Sequence, residues 1–304
     1  MLVEGQQNEK LITFKVEAVD DGRPIKDILR KRLSASSRLL TKLKKAENIL
    51  LNDSYAKYHE KVYEGDIIKI IMEEEPNQFE PQCIPFEIVY EDIDLIIINK
   101  QPGIVSHPTK SHPDYTIANA AVYYLASKGA DHRIRFVNRL DMDTSGLLII
   151  AKNAYSHHII SEQMQEDRIQ KKYITFVKGV VEEDFGTIDA PIYRETDDTI
   201  KRTVDERGQY SVTRYKVLER FKAVTKLEIE LLTGRTHQIR VHMAHIGHSI
   251  IGDTLYGDES NPYNMDRQAL HAFYLKLYQP RYNTELEVKA GLPQDLMDLE
   301  EILR

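Results

Sequence analysis

Residues 73–85 divide this 304-residue chain into two unlike parts. They read Glu-Glu-Glu-Pro-Asn-Gln-Phe-Glu-Pro-Gln-Cys-Ile-Pro, three prolines and four acids without apolar periodicity. Proline fixes φ and lacks a backbone donor, so neither a helix interior nor a central strand can run through such a stretch. A linker over 73–87 is therefore expected. It leaves a small unit before it and a large one after it. The small unit reads as an N-terminal strand extension (1–20) followed by a basic domain (21–72). The large unit spans 88–304, long enough to bury a core without disulfides or metal staples.

Charge follows the same division. From Gly22 to Lys45 there are nine Lys and Arg against one acid, Asp27. Through Ile71 the balance is +6, so the rest of the chain carries −13 of the total of −7. The total argues against a nucleic-acid partner, but a compact basic segment can still bind a polyanion, because surface fields act within about 10 Å. Within the segment, Ile25, Ile28, Leu29 and Leu33 fall at helical spacing with cations between them. Ser36 or Ser37 can cap a second helix, which Leu39, Leu40, Leu43 and Ala46 give an apolar face. Ile49–Leu51, an Asn52–Asp53 turn and Ile67–Ile70 then predict a small sheet under the helix pair.

Other classes are excluded by what is missing. A single cysteine, Cys83, cannot form an intrachain disulfide or a cysteine-rich zinc site. The start, Met1–Lys10, is polar rather than a signal peptide, and no apolar run reaches the length of a membrane span. The expected location is the cytoplasm.

After the linker, strand patterns predominate: 88–90, 95–99, 134–137, 147–152, 173–181, 210–217, 225–232 and 269–277. Helical patterns intervene over 117–126, 154–165, 236–246 and 296–303. This mixture predicts an α+β fold, a long and mainly antiparallel mixed sheet flanked by helices.

Three segments could carry chemistry. Asn138–Gly146 is a polar loop between two strands, holding Arg139, Asp141, Asp143, Thr144 and Ser145. Loops on rigid strands are where catalytic groups are placed, although the same residues also build turns. Thr233–His242 joins a strand to a helix. Thr236 is its expected N-cap, with Ile239 and Met243 turned inward and Arg240 on the same helix. His242 and His245 stand at i,i+3, but core or surface histidines are the simpler reading than zinc. Lys171–Lys172–Tyr173 opens a strand.

Together these segments resemble the RluA-type RNA pseudouridine synthases, and the run Arg23–Ile70 resembles the small S-four-type RNA-binding domain. Four matches occur in order: Lys100–Pro108; Arg139–Leu140–Asp141 with Thr144–Ser145–Gly146; Tyr173; and Gly234–Arg240. Gly247–His248, Gly252–Asp253 and Tyr256–Gly257 follow. Ordered matches are far more specific than any one motif. One departure is Asn138, where the family usually has histidine.

The resemblance implies an isomerase that converts uridine in RNA to pseudouridine without cofactor or metal, most naturally in large-subunit ribosomal RNA, with transfer RNA as the other substrate. It implies Asp141 as nucleophile or base, Tyr173 against the uracil and Arg240 as the cation facing the aspartate, with Arg235 second. A guanidinium there would offset the desolvation of a carboxylate in a base-sized pocket. Arg139 would fill the space left by a flipped base. Arg30, Arg32, Arg38, Lys42, Lys44 and Lys45 would meet RNA backbone, joined by a basic strip of Arg139, Lys171, Lys172, Arg235 and Arg240. RNA is the only partner expected, and the protein is expected to be a monomer. Two readings compete: an inactive RNA-binding platform, and a glycoside or nucleoside hydrolase pairing Asp141 with Asp143.

Overall fold

A computed structural model of the chain describes residues 10–33, 35, 37–73, 75–109, 111–130, 133–196, 198–257 and 262–304. Ser36, one of the two expected caps, lies outside them. The N-terminal part is a four-stranded sheet of β1 (Leu11–Lys15), β2 (Ile49–Leu51), β3 (Ser54–Tyr55) and β4 (Ile67–Ile71), in the order β1-β4-β2-β3. Helices α1 (Ile25–Arg32) and α2 (Ser37–Lys45) pack on it. Strand β1 is not an appendage, because every residue of it pairs with β4. The β2–β3 turn places Asn52 and Asp53 at φ 48° and 64°. That left-handed geometry matches the twist of a tight hairpin and suits these residue types. Ile25, Ile28, Leu29 and Leu33 are all buried, as their spacing requires.

The larger part is built on a ten-stranded sheet. Its strands are β5 (Glu87–Glu91), β6 (Leu95–Lys100), β7 (Arg135–Phe136), β8 (Ser145–Ala151), β9 (Gln170–Lys178) and β10 (Phe185–Asp189). A two-stranded ribbon, β11 (Ile192–Tyr193) with β12 (Thr203–Val204), interrupts the order. The sheet continues with β13 (Val212–Arg220), β14 (Val224–Leu231), β15 (Leu270–Tyr278) and β16 (Glu285–Lys289). The path runs β10-β13-β14-β9-β15-β8-β6-β5, with β16 on β15 and β7 on β8. All pairs are antiparallel except β15 with β8.

Central strands are buried on both faces, which is why β6 and β8 read as continuous apolar runs. Ile96, Ile98, Leu148 and Ile150 face one core, with α3 (Ile117–Ser127), α5 (Gln238–His245) and α6 (Gln294–Leu303). Leu95, Ile97, Leu147 and Ile149 face the other, under α4 (Ala154–Gln165). Helix α4 also sends Tyr155 into the N-terminal core, so the two parts share a packed boundary. A buried ion pair reinforces it. Arg281 donates twice to Asp94, at 3.0 and 2.9 Å, and once to the Leu11 carbonyl of β1. Among the described residues no helix is long and apolar enough to cross a membrane.

Candidate active site

The loop between β7 and β8 carries Asp141, and three distant side chains hold its backbone. Ser106 Oγ reaches the Leu140 carbonyl at 3.4 Å, Lys100 Nζ the Met142 carbonyl at 2.7 Å and Arg267 Nη1 the Asp143 carbonyl at 3.0 Å. Lys100 is fully buried and also donates to the Gln101 and Ile104 carbonyls. Burial pulls its ammonium down to about 7, opposed by the charges of Asp143 and Asp141. The loop closes tightly on the sheet at Gly146. This residue has φ +112°, and a Cβ there would stand 2.2 Å from the Ala272 carbonyl oxygen. Only glycine permits that approach between β8 and β15.

Asp141 opens into a cleft of 390 Å³, lined also by Arg139, Lys171, Tyr173, Arg235, His237 and Arg240. That volume suits one small ligand group such as a nucleotide base. Arg240 Nη1 lies 3.4 Å from Asp141 Oδ2. The same guanidinium is clamped from behind by Asp253, Nε to Oδ2 at 2.7 Å and Nη2 to Oδ1 at 2.8 Å. Burial works against the charge of Arg240, but the bonds to Asp253, with Asp141 adding, hold its pKa above the usual value. Asp253 is fixed in turn by the amides of Leu255 and Tyr256, at 3.0 and 3.1 Å. Its turn depends on Gly252, at φ +74°, where a Cβ would meet the Arg267 carbonyl oxygen at 2.1 Å. A bidentate, buried pair of this kind fixes position as well as charge.

His237 forms a second wall. Its Nε2 lies 3.9 Å from Asp141 Oδ2, and its Nδ1 shares a 2.8 Å hydrogen bond with Tyr256 Oη. Burial holds its pKa below the ordinary value, although Asp141 opposes this, so the ring is neutral near pH 7. His237 stands at φ 56°, a left-handed conformation that costs on the order of 1 kcal/mol for a residue with a Cβ. Thr236 is not the cap of α5; His237 holds the N-cap position and its side chain caps nothing. The side chain of Gln238, the first residue of α5, instead holds the turn that precedes the helix. It accepts from the Arg235 amide at 2.9 Å and from Thr233 Oγ1 at 2.8 Å, while donating to the Val212 carbonyl on β13 at 3.0 Å.

Tyr173 comes from β9, paired with Ile229 of β14 and Ala272 of β15. It is 7% exposed, and its hydroxyl has no hydrogen-bond partner among the described residues. Burial, with the charge of Asp141, raises its pKa far above the usual phenol value, so it stays protonated. Strand alternation sorts its neighbours. Lys171 lines the cleft with Tyr173, whereas Lys172 pairs with Glu228 at 2.8 Å and does not join the expected basic strip. Arg235 is exposed and donates to the Tyr210 carbonyl at 3.1 Å, so Arg240 alone of the two faces Asp141. Arg139 is exposed on the cleft rim, with no hydrogen bond or ion pair among the described residues.

Asn138 lines the cleft and also braces β8. Its Oδ1 accepts from the Ile149 amide at 2.7 Å and its Nδ2 donates to the Leu147 carbonyl at 3.4 Å, so the side chain acts as one more rung beside β8. His242 is a core residue, bonded to Thr213 Oγ1 and the Ala190 carbonyl. In the N-terminal part, Arg30, Arg38, Lys42, Lys44 and Lys45 are exposed. Arg32 is not. It is drawn back to Asp20, at 2.5 Å, and Glu17, at 2.7 Å, and holds α1 against the turn that follows β1.

The cleft thus joins one carboxylate, one fixed guanidinium and one buried phenol at the end of a rigid sheet. Residues 94–245 match the family model described as RNA pseudouridylate synthase. The chain belongs to the RNA pseudouridylate synthase family. It is accordingly an isomerase acting on uridine in RNA. It is 40% identical over 272 residues to ribosomal large subunit pseudouridine synthase D of Escherichia coli (strain K12), covering 85% of this chain and 83% of that one. An RNA pseudouridine synthase of Bacillus subtilis (strain 168) is 37% identical over 270 residues, covering 88% of this chain and 95% of the other. Among solved structures, human RNA pseudouridylate synthase domain containing 1 is similar at a TM-score of 0.59 and 28% identity, covering 71% of this chain and 87% of that one. The strongest supports of the site, Asp253 and Tyr256, lie beyond the matched segment.

Proposed function

We propose that this isomerase converts uridines of large-subunit ribosomal RNA to pseudouridine, with Asp141 as the carboxylate that attacks the sugar or removes its proton. The observation that carries the reading is the Arg240 guanidinium, 3.4 Å from Asp141 and locked in place by Asp253. In the reaction the bond from C1′ to N1 breaks, the uracil turns within the cleft, and C5 bonds to C1′. The proton leaving C5 is balanced by one gained at N1. Asp141 supplies the negative charge that carbon 1′ needs as its base departs. Arg240 keeps that carboxylate oriented toward the sugar. Tyr173 presents a ring face, which tolerates a rotating base better than directional hydrogen bonds do. Arg139, unpaired on the rim, fills the stack that the flipped uridine leaves. The name of the Escherichia coli relative supports the ribosomal substrate.

The test is nucleoside analysis after incubating the protein with uridine-labelled ribosomal RNA and, separately, transfer RNA. Pseudouridine in the ribosomal RNA is the expected product. Free uracil would mean hydrolysis, unchanged uridine in both a binding platform, and conversion in transfer RNA alone a different substrate. Asp141→Asn should abolish conversion while still binding RNA. Near-normal conversion by that variant would remove Asp141 from the chemistry.

A further inference from the structure

Beside the cleft lies a larger groove of 1410 Å³, between α2 and residues 133–136. Lys42 and Lys45 line it on the α2 side, Arg133 and Arg135 on the other. His107 and Phe136 border both the groove and the cleft, so the two are continuous. Their rings stand 6.4 Å apart at that junction. Glu73 and Glu75 of the connecting segment line the groove as well, and Glu75 is the one that meets the cations of both walls. Arg133 Nη1 is 2.7 Å from Glu75 Oε2, Arg135 Nη2 is 3.9 Å from the same oxygen, and Lys42 Nζ is 3.9 Å from Oε1. The hydrogen bond from Arg133, with the charges of Arg135 and Lys42, holds the Glu75 carboxyl below its usual range.

We propose that this groove takes the RNA strand leading into the cleft, and that Glu75 occupies the place of one RNA phosphate until the strand displaces it. The inference rests on the reading of the cleft as an RNA-modifying site. Three cations from two walls converge on two oxygens sharing one negative charge, which is also what a phosphodiester presents. Exchange of one for the other conserves charge. Glu75 gives way readily because its side chain is 48% exposed and returns to water, where such pairs contribute little. The junction rings offer a stacking face to an unpaired base next to the target. A carboxylate that merely staples the two parts together predicts the reverse, since RNA binding would then depend on keeping it.

The experiment measures binding of a fluorescent ribosomal RNA fragment to the full chain across a range of salt. Glu75→Gln should tighten binding several-fold, because the phosphate no longer has to displace a carboxylate. Glu75→Ala should do the same, with unfolding temperature measured alongside. Arg133→Gln should weaken binding and flatten the slope. Glu301→Gln, an exposed carboxylate on α6, should change neither. Unchanged or weaker binding by the Glu75 variants overturns the proposal, and so does equal tightening by Glu301→Gln. Pseudouridine formation by the unmodified protein is followed in the same samples. Its absence would sink the functional reading; its presence with no tightening would sink only the groove.

Discussion

The molecule carries its cations in two ways. On α2, Arg38, Lys42, Lys44 and Lys45 stand exposed on long side chains. In the cleft, Arg240 is 8% exposed and held by three carboxylate contacts. Exposed cations attract a polyanion from several ångströms away, and salt screens them. A buried guanidinium attracts little at a distance, but its position is fixed before substrate arrives, so no reorganisation is needed when charge develops. Under the proposed function the two regions divide the work, α2 giving affinity and the cleft giving rate.

The sharpest way to break that division is at Asp253. Asp253→Asn keeps the shape but removes the charge behind Arg240. The rate constant at saturating RNA should fall by roughly 10²-fold, the usual effect of losing one preorganised electrostatic contact. The dissociation constant should barely move; a large rise in it with a normal rate would assign Arg240 to affinity instead. The converse variant replaces Arg38, Lys42 and Lys45 with Gln. Binding should weaken about tenfold at moderate salt and the salt slope should fall by about 2 to 3, with the saturated rate unchanged.

A smaller effect concerns Lys100, the buried cation that serves neither role and instead holds the Met142 carbonyl. Its folded pKa of about 7 lies below the 10.5 of an ordinary lysine. Between those values the unfolded chain binds more protons than the folded one, so this residue makes stability rise with pH across that window, by at most about 1.4 kcal/mol per unit. Below pH 7 both states are charged and the contribution is flat. Lys100→Met should remove the rise, as urea midpoints at pH 7 and 9 would show. A rise of the same size in the variant would assign it to other groups.

The elements legible in the sequence are those whose signal is local. Helix α4 has the bounds its pattern predicts, because Asn153 caps it from the next position, accepting from the Ser156 amide at 2.8 Å. Strand β8 is legible because both of its faces are buried. Strands β10 and β16 lie near the sheet margins and carry mostly exposed residues, so their apolar signal is weak. In the site, Asp141, Tyr173 and Arg240 could be named from their motifs, but their supports could not. The turn before α5 is held by a glutamine amide that β13 satisfies, 26 positions away in sequence. The partner of Arg240 is 13 residues downstream, across a glycine turn whose geometry no periodicity reveals. The pairing of Lys172 and Arg32 is hidden for the same reason: Glu228 and Asp20 meet them only in the folded chain.

The division of work is tested most directly by the first-order rate of pseudouridine formation under single-turnover conditions, with ribosomal RNA saturating. Three proteins suffice: the unmodified chain, Asp141→Asn, and the variant with Arg38, Lys42 and Lys45 replaced. The expected result is no product from Asp141→Asn and an unchanged rate constant for the α2 variant once enough protein is present to bind all the RNA. A normal rate from Asp141→Asn, or a loss in the α2 variant that saturation does not restore, would contradict it.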